Sequence, residues 1–246
     1  MKILCVGEAL IDMICIDKGK SLSEGNNFLK KTGGAPTNVA AAIAALGGSV
    51  ELAAKVGSDP FGKQLVEEMQ HFGVSTKWML QDNKFFTTFA FVSLMEDGER
   101  DFYFNRGADG QLTREEVERI DLDEISIIHF GSATAFLPGP LQGAYQNLLQ
   151  NALLKNIFIS FDPNYRQLLF KNDLQNFIDQ SWNFLVCCHF FKLSDEEALL
   201  ITGGSTLQDA ASILLEKTSA TFAITLGKEG TMLGFNKSTT IIPSIP

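Results

Sequence analysis

Gly33-Gly34-Ala35-Pro36-Thr37-Asn38-Val39-Ala40-Ala41-Ala42-Ile43-Ala44-Ala45-Leu46-Gly47 is the stretch whose reading decides the fold of this chain. The glycine pair lets the backbone turn sharply and pass close to a ligand. Pro36 and Thr37 then open an alanine-rich run of high helix propensity, so a bare turn feeds straight into a helix. Asn38, in the first turn, carries both a donor and an acceptor and can meet hydroxyl groups. An uncharged polar ligand of the sugar type suits that arrangement. A tight loop ahead of a buried helix packed through its alanines fits the same residues, and the stretch alone leaves both readings open.

Working outward, Met1-Lys2-Ile3-Leu4-Cys5-Val6-Gly7-Glu8-Ala9-Leu10-Ile11-Asp12 reads as a buried strand ending at Gly7, with Asp12 just past its end. Open α/β sheets bind ligands beyond the carboxyl ends of their strands. A carboxylate placed there accepts hydrogen bonds from vicinal hydroxyls; a solvated loop aspartate is the alternative. Strand-like runs at 3–7, 51–56, 125–130, 157–161, 184–192, 220–226 and 231–234 alternate with helix-like runs at 38–46, 60–72, 114–119, 140–155, 171–180, 194–202 and 206–217. The alternation predicts an α/β fold with a largely parallel sheet covered by helices. Thr113 with Glu116 predicts a capping box, and Thr206 with Asp209 a weaker form of it. Cys187-Cys188-His189 falls in the apolar run 184–191 and reads as buried strand.

Two stretches break the alternation. Residues 13–31 contain Gly19, Gly25 and Asn26-Asn27 with no helical period. Residues 85–106 read as two strands about a turn at Glu96-Asp97-Gly98-Glu99, with Phe102, Phe104 and Arg106 on one face of the second.

The net charge of −9 argues against nucleic acid as a partner but leaves room for a nucleotide, which needs only a local cationic cluster. The four cysteines have neither disulfide-scaffold nor zinc-site spacing. No apolar run approaches the roughly 18 residues of a membrane span, and no signal peptide precedes the first strand. The expectation is a cytoplasmic protein without membrane or nucleic-acid partners.

Five motifs in order carry a resemblance: Asp12, the 33–47 signature, Lys55-Val56-Gly57-Ser58-Asp59-Pro60-Phe61-Gly62, Asp162-Pro163-Asn164-Tyr165-Arg166 and Thr225-Leu226-Gly227-Lys228-Glu229-Gly230. Together they resemble the ribokinase-like (PfkB) family of carbohydrate kinases over the whole chain. The Gly-Gly-Ala-Pro-x-Asn form is most similar to the fructokinase branch. The resemblance implies a three-layer α/β/α core with a mostly parallel sheet (1–12, 33–84 and 107–246) and a small β-lid (13–32 and 85–106). In such families the lid often serves as a dimer surface. The implied activity is ATP-dependent phosphorylation of a sugar hydroxyl, fructose to fructose 6-phosphate, with Mg²⁺; 2-keto-3-deoxygluconate or ribose as substrate is the alternative.

Phosphoryl transfer needs positioning and charge neutralisation more than covalent help. By resemblance, Asp12, Gly33, Gly34 and Asn38 hold the sugar, and Phe104 and Arg106 reach it from the lid strand. An aromatic face covers the apolar side of a sugar, and arginine forks to hydroxyls or phosphate; lid packing and a solvated charge are the plain alternatives. Arg166 is expected to stabilise the transferring charge or grip the substrate. Asn164, Ser194, Thr225, Gly227, Lys228 and Gly230 are expected to face the nucleotide. Glu197, in Ser194-Asp195-Glu196-Glu197, takes the place of the family's acid that organises magnesium through water, although Ser194 and the acids equally suit a helix cap.

The family's second signature, Gly-Ala-Gly-Asp, whose aspartate is the base, does not occur in the 246 residues. Loss of a positioned base costs ~10²–10⁴-fold in rate. The sequence ends in the strand-like run 239–246, so an incomplete copy of an ordinary enzyme is the expectation; a sugar-binding protein without catalysis is the other reading, and a purely structural α/β module a third.

Overall fold

Alternate residues of the first strand, β1 (Lys2–Val6), go to opposite sides of a sheet: Leu4 and Val6 enter one apolar core, Cys5 the other. A strand buried on both faces requires this two-residue period. The computed structural model describes residues 1–96, 100–131 and 133–244. After β1 come β2 (Leu10–Cys15), β3 (Phe28–Gly33), α1 (Ala35–Ala45), β4 (Ser49–Gly57), α2 (Pro60–His71), β5 (Met79–Asp82), β6 (Phe89–Leu94) and β7 (Arg100–Asn105). There follow α3 (Arg114–Val117), β8 (Ile125–Gly131), α4 (Pro140–Leu154), β9 (Phe158–Asp162), α5 (Gln167–Phe170), α6 (Leu174–Leu185), β10 (Phe190–Ser194), α7 (Asp195–Thr202), α8 (Leu207–Lys217), β11 (Thr221–Thr225), β12 (Thr231–Phe235) and β13 (Ser238–Ile242).

The described residues form a nine-stranded sheet in the order β13-β12-β11-β10-β9-β8-β1-β4-β5 and a four-stranded sheet in the order β3-β2-β6-β7. From β11 to β5 every neighbour pair of the large sheet is parallel; β12 and β13 close one edge as an antiparallel meander. One face carries α3, α4, α6, α7 and α8 over a core centred on Phe130, Phe136, Phe161, Phe177 and Phe184; the other carries α1 and α2 over Leu52, Val56, Leu65 and Met69. Rings of the aromatic core meet at 4.9–6.1 Å, and each buried phenylalanine contributes roughly 1.5–3 kcal/mol. Beyond α1 on the second face, Ile127, His129, Phe158 and Phe190 line an open groove of about 500 Å³, and Phe158 is 42% exposed. No single helix among the described residues is long and apolar enough to cross a membrane.

The three-layer α/β/α arrangement and the small separate sheet match the expected fold class. Several local expectations do not survive. The run 184–192 is not one strand: α6 continues to Leu185, a turn follows, and β10 starts at Phe190. Phe177, Ser181, Phe184, Leu185 and Cys188 are buried at helical spacing, and this period outweighs the local apolar run. Cys187-Cys188-His189 therefore lies in a turn. The helix expected at 171–180 is displaced to Leu174–Leu185, while α5 and β5 were not anticipated. The small sheet reaches back to Leu10, so Asp12 sits within β2 rather than in a loop after β1. Residues 97–99 of the expected turn lie outside the described residues.

Candidate active site

A cleft of about 280 Å³ opens between the carboxyl rim of the large sheet and the small sheet. Its floor comes from Glu8 after β1, Gly34 and Asn38 at the start of α1, and Thr134 after β8. Asp162, Asn164 and Arg166 at the end of β9 form one wall; Leu10, Asp12, Ala90, Phe102 and Phe104 of the small sheet form the roof. Pairing aligns Asp12 with Ala90 and Ala90 with Phe104, so the carboxylate and the ring stand abreast on one face of that sheet. Burial pushes the Asp12 carboxyl above its usual range, and the nearby positive charge of Arg166 partly offsets this.

Gly34 holds φ at +109°, and a Cβ there would stand 2.3 Å from the Glu8 carbonyl oxygen. Only glycine allows α1 to begin this close to the strand end. No side chain within the turn caps α1. The Glu8 Oε1 takes that place, accepting from Ala35 N–H at 2.9 Å and Ala133 N–H at 3.4 Å. A carboxylate at a helix N-terminus meets free N–H groups and the positive end of the dipole. Glu8 is 1% exposed and ties α1 to the loop after β8. Gly33 contributes by having no side chain: a Cβ would lie 2.1 Å from Asp12 Oδ2.

On the wall, Asn164 is left-handed at φ +51°. Asp162 Oδ1 accepts from Asn164 N–H at 3.2 Å, and Lys192 Nζ stands 3.4 Å from Asp162 Oδ2. Burial raises the Asp162 carboxyl, with Lys192 opposing. Arg166 is exposed toward the cleft, its Nη1 donating to Tyr165 O at 3.1 Å.

Asp12, Gly34, Asn38, Phe104, Asn164 and Arg166 thus converge, with Gly33 directly behind Asp12. Arg106 does not join them. Its Nη1 donates to Pro138 O at 2.8 Å and its Nη2 to Thr134 O at 3.1 Å, with Nε 3.7 Å from buried Asp109. It braces the loop after β8 against the end of β7. Ser194 and Thr225 pair in register at the ends of β10 and β11, farther along the same rim. Gly227 and Lys228 are exposed in the turn after β11. Gly230 is consumed by that turn: its N–H donates to Gly227 O at 3.3 Å and its carbonyl accepts from Leu226 N–H at 2.9 Å. A Cβ on Gly230 would also meet Ile242 O at 2.1 Å, so packing explains this glycine.

Glu197 is bound by backbone groups through both oxygens, Oε1 to Tyr165 N–H and Oε2 to Ser194 N–H, each at 2.7 Å. No group of three or more acidic, histidine or cysteine side chains suited to a metal occurs among the described residues. Magnesium takes few protein ligands when phosphates supply the rest, so the donor set fits an ion that arrives on a nucleotide and not a cage built by the protein.

The motif from Lys55 to Gly62 is architectural. Lys55 Nζ lies 2.8 Å from Glu116 and 3.2 Å from Asp82, and Asp59 caps α2 while accepting from Thr87. Sequence reading missed Glu8, Phe102 and Thr134 as cleft residues. Glu8 had a legible signal, an acid directly after the glycine that ends a strand; Thr134 had none.

The pfkB family carbohydrate kinase pattern matches residues 1–246, and the chain belongs to that family. It is 34% identical over 233 residues to a probable fructokinase-4 of Arabidopsis thaliana, covering 93% of this chain and 70% of that protein. Among solved structures, it is similar to an uncharacterised sugar kinase of Pyrococcus horikoshii in complex with ATP, with TM-score 0.87, 30% identity, and coverage of 99% of this chain and 77% of that one. A fructokinase of Xylella fastidiosa gives TM-score 0.87 at 28% identity, covering 99% and 78%.

Proposed function

We propose that this chain serves ATP-dependent phosphorylation of a sugar hydroxyl, with fructose as substrate and fructose 6-phosphate as product. The observation that carries the reading is the charge make-up of the cleft: among the described lining residues, Glu8, Asp12 and Asp162 stand against one cation, Arg166, with Lys192 behind Asp162. Carboxylates only accept hydrogen bonds, so they suit a neutral polyol rich in donors and repel a sugar acid. This favours fructose or ribose over 2-keto-3-deoxygluconate. Asp12 and Asn38 read hydroxyls, Phe104 covers a ring face, and Arg166 neutralises charge on the transferring phosphoryl group. ATP lies along the rim by Asn164, Ser194, Thr225, Gly227 and Lys228 and carries its own Mg²⁺; that the similar Pyrococcus sugar kinase was solved in complex with ATP supports ATP as the nucleotide.

Residues 13–32 and 85–106 act as a lid and as a dimer surface. Ile14 pairs with Leu29 and Val92, and Val92 with Phe102, so an apolar stripe runs outward from the cleft on the same face of the small sheet. Leu29 is 46% exposed, and a second copy would cover it. The protein works in the cytoplasm.

The test is transfer from ATP across a panel of ketoses, aldoses and sugar acids, with product identification, alongside calorimetry of the same sugars and of ATP. Fructose-dependent ADP formation is the expected result. Fructose binding without turnover identifies the non-catalytic reading, and binding of neither sugar nor ATP removes the proposal.

A further inference from the structure

We infer that Glu197 is a positioning residue that clamps the Arg166 loop to the start of α7 and so sets the shape of the sugar cleft. The inference rests on the sugar-binding reading of that cleft. A capping box needs one carboxylate oxygen, returned to the N-cap N–H; Glu197 Oε2 does this at Ser194. The other oxygen has no part in the cap. It crosses to the loop after β9 and accepts from Tyr165 N–H at 2.7 Å. Glu197 is only 6% exposed, and charge-assisted bonds of this kind are strong in dry surroundings.

The loop it grips needs holding. Asn164 occupies the left-handed region at φ +51°, a conformation that persists where surrounding contacts enforce it. Between Asp162 and Arg166, the side-chain anchors among the described residues include the Asp162 bond to Asn164 N–H, the Lys192–Asp162 pair, the packing of the Tyr165 ring against Phe170 and Phe177, and Glu197. Among the described residues, the Arg166 guanidinium makes one bond, to the carbonyl of its own neighbour Tyr165. Glu197 holds the N–H and Arg166 the carbonyl of the same residue, Tyr165, so the clamp acts one Cα away from the atom that sets the guanidinium's direction. The same clamp joins β9 to β10, where the sugar cleft and the proposed nucleotide rim meet.

Glu197→Gln keeps the shape and one acceptor but cannot serve two N–H donors. Amide exchange at Tyr165 is expected to quicken by about tenfold or more, and fructose affinity by calorimetry to weaken about tenfold, as loss of one charge-assisted bond implies. The Mg²⁺ dependence of binding a non-hydrolysable ATP analogue stays the same. Thr206→Ala, which uncaps neighbouring α8, controls for general loosening and leaves Tyr165 exchange and fructose affinity unaltered. Unchanged Tyr165 exchange in Glu197→Gln overturns the clamp. So does a shift in Mg²⁺ dependence with fructose affinity intact, which assigns Glu197 to the metal. A wild-type protein that ignores fructose refutes the substrate reading, while the exchange measurement still decides the clamp.

Discussion

Adding one methyl group to each of two adjacent glycines should give opposite defects. At Gly34 the new Cβ would lie 2.3 Å from the Glu8 carbonyl oxygen and 3.1 Å from its carbon, in a backbone at φ +109°. Both obstacles are main chain, so relief requires moving the β1 end or the start of α1. Backbone strain of about 1–3 kcal/mol and overpacking of similar size apply together, so Gly34→Ala is expected to lose roughly 2–5 kcal/mol. For a chain of this size that lowers Tm by roughly 5–15 °C. At Gly33 the Cβ would lie 2.1 Å from Asp12 Oδ2, 2.7 Å from Asp12 Cγ and 2.9 Å from Leu10 Cδ1, all side-chain atoms that can shift without moving main chain. Gly33→Ala is therefore expected to cost under about 1 kcal/mol of stability. Displacing Asp12, however, removes a charged acceptor from the cleft, and fructose should bind about 10–100-fold more weakly. Thermal unfolding and calorimetry on both variants make the comparison. Equal stability losses would refute the contrast between main-chain and side-chain clashes, and a Gly33→Ala protein with unchanged fructose affinity would refute the assignment of Asp12 to the ligand.

His129, bonded through Nδ1 to Ser160 Oγ at 3.0 Å and with Nε2 buried, is pushed by burial down to about 4. Its folded value lies below the unfolded one near 6.5, so its share of stability is present above pH 6.5 and is lost toward pH 4, at most roughly 3 kcal/mol. Asp12 and Asp162 are raised in the folded state and oppose that slope. Urea midpoints against pH should thus be flatter in His129→Gln, and identical slopes would exclude His129 as the cause. Sugar hydroxyls favour the ionised forms of Asp12 and Asp162, so fructose binding should release protons in the acid range and weaken as pH falls. Calorimetry in buffers of different ionisation enthalpy measures the release; none at all would contradict the carboxylate contacts. Lys55→Met leaves Glu116 and Asp82 facing each other without their shared cation. The expected loss is about 3 kcal/mol by denaturant midpoint with fructose affinity within about twofold, and a stable variant would disprove the role of that pair.

Much of the candidate site was legible because its chemistry is local. Glycine at a positive φ, an asparagine in a first helical turn and an arginine after a strand-ending proline each declare themselves within a few residues. Arg106 shows the limit. Strand alternation placed it with Phe102 and Phe104, but Pro138 and Thr134 carbonyls, brought by a distant loop, outcompete the cleft for its guanidinium. Gly230 fails similarly, because its partner Ile242 comes from β13. The run 184–192 reads as strand from sequence because its seven apolar residues fit both periods until the packing of Phe177 and Phe184 settles the matter.

The alternation of strands and helices, the largely parallel sheet and the glycine turn into α1 follow from the sequence alone, since hydrophobic period and backbone freedom are properties of neighbouring residues. Which acid meets which amide is different. Glu8 reaching Ala35 and Ala133, and Glu197 reaching Tyr165, join residues 27, 125 and 32 positions apart. Those pairings exist only once the sheet has set its strands side by side, because a hydrogen bond acts over about 3 Å and carries no mark in the chain of where its partner will come from.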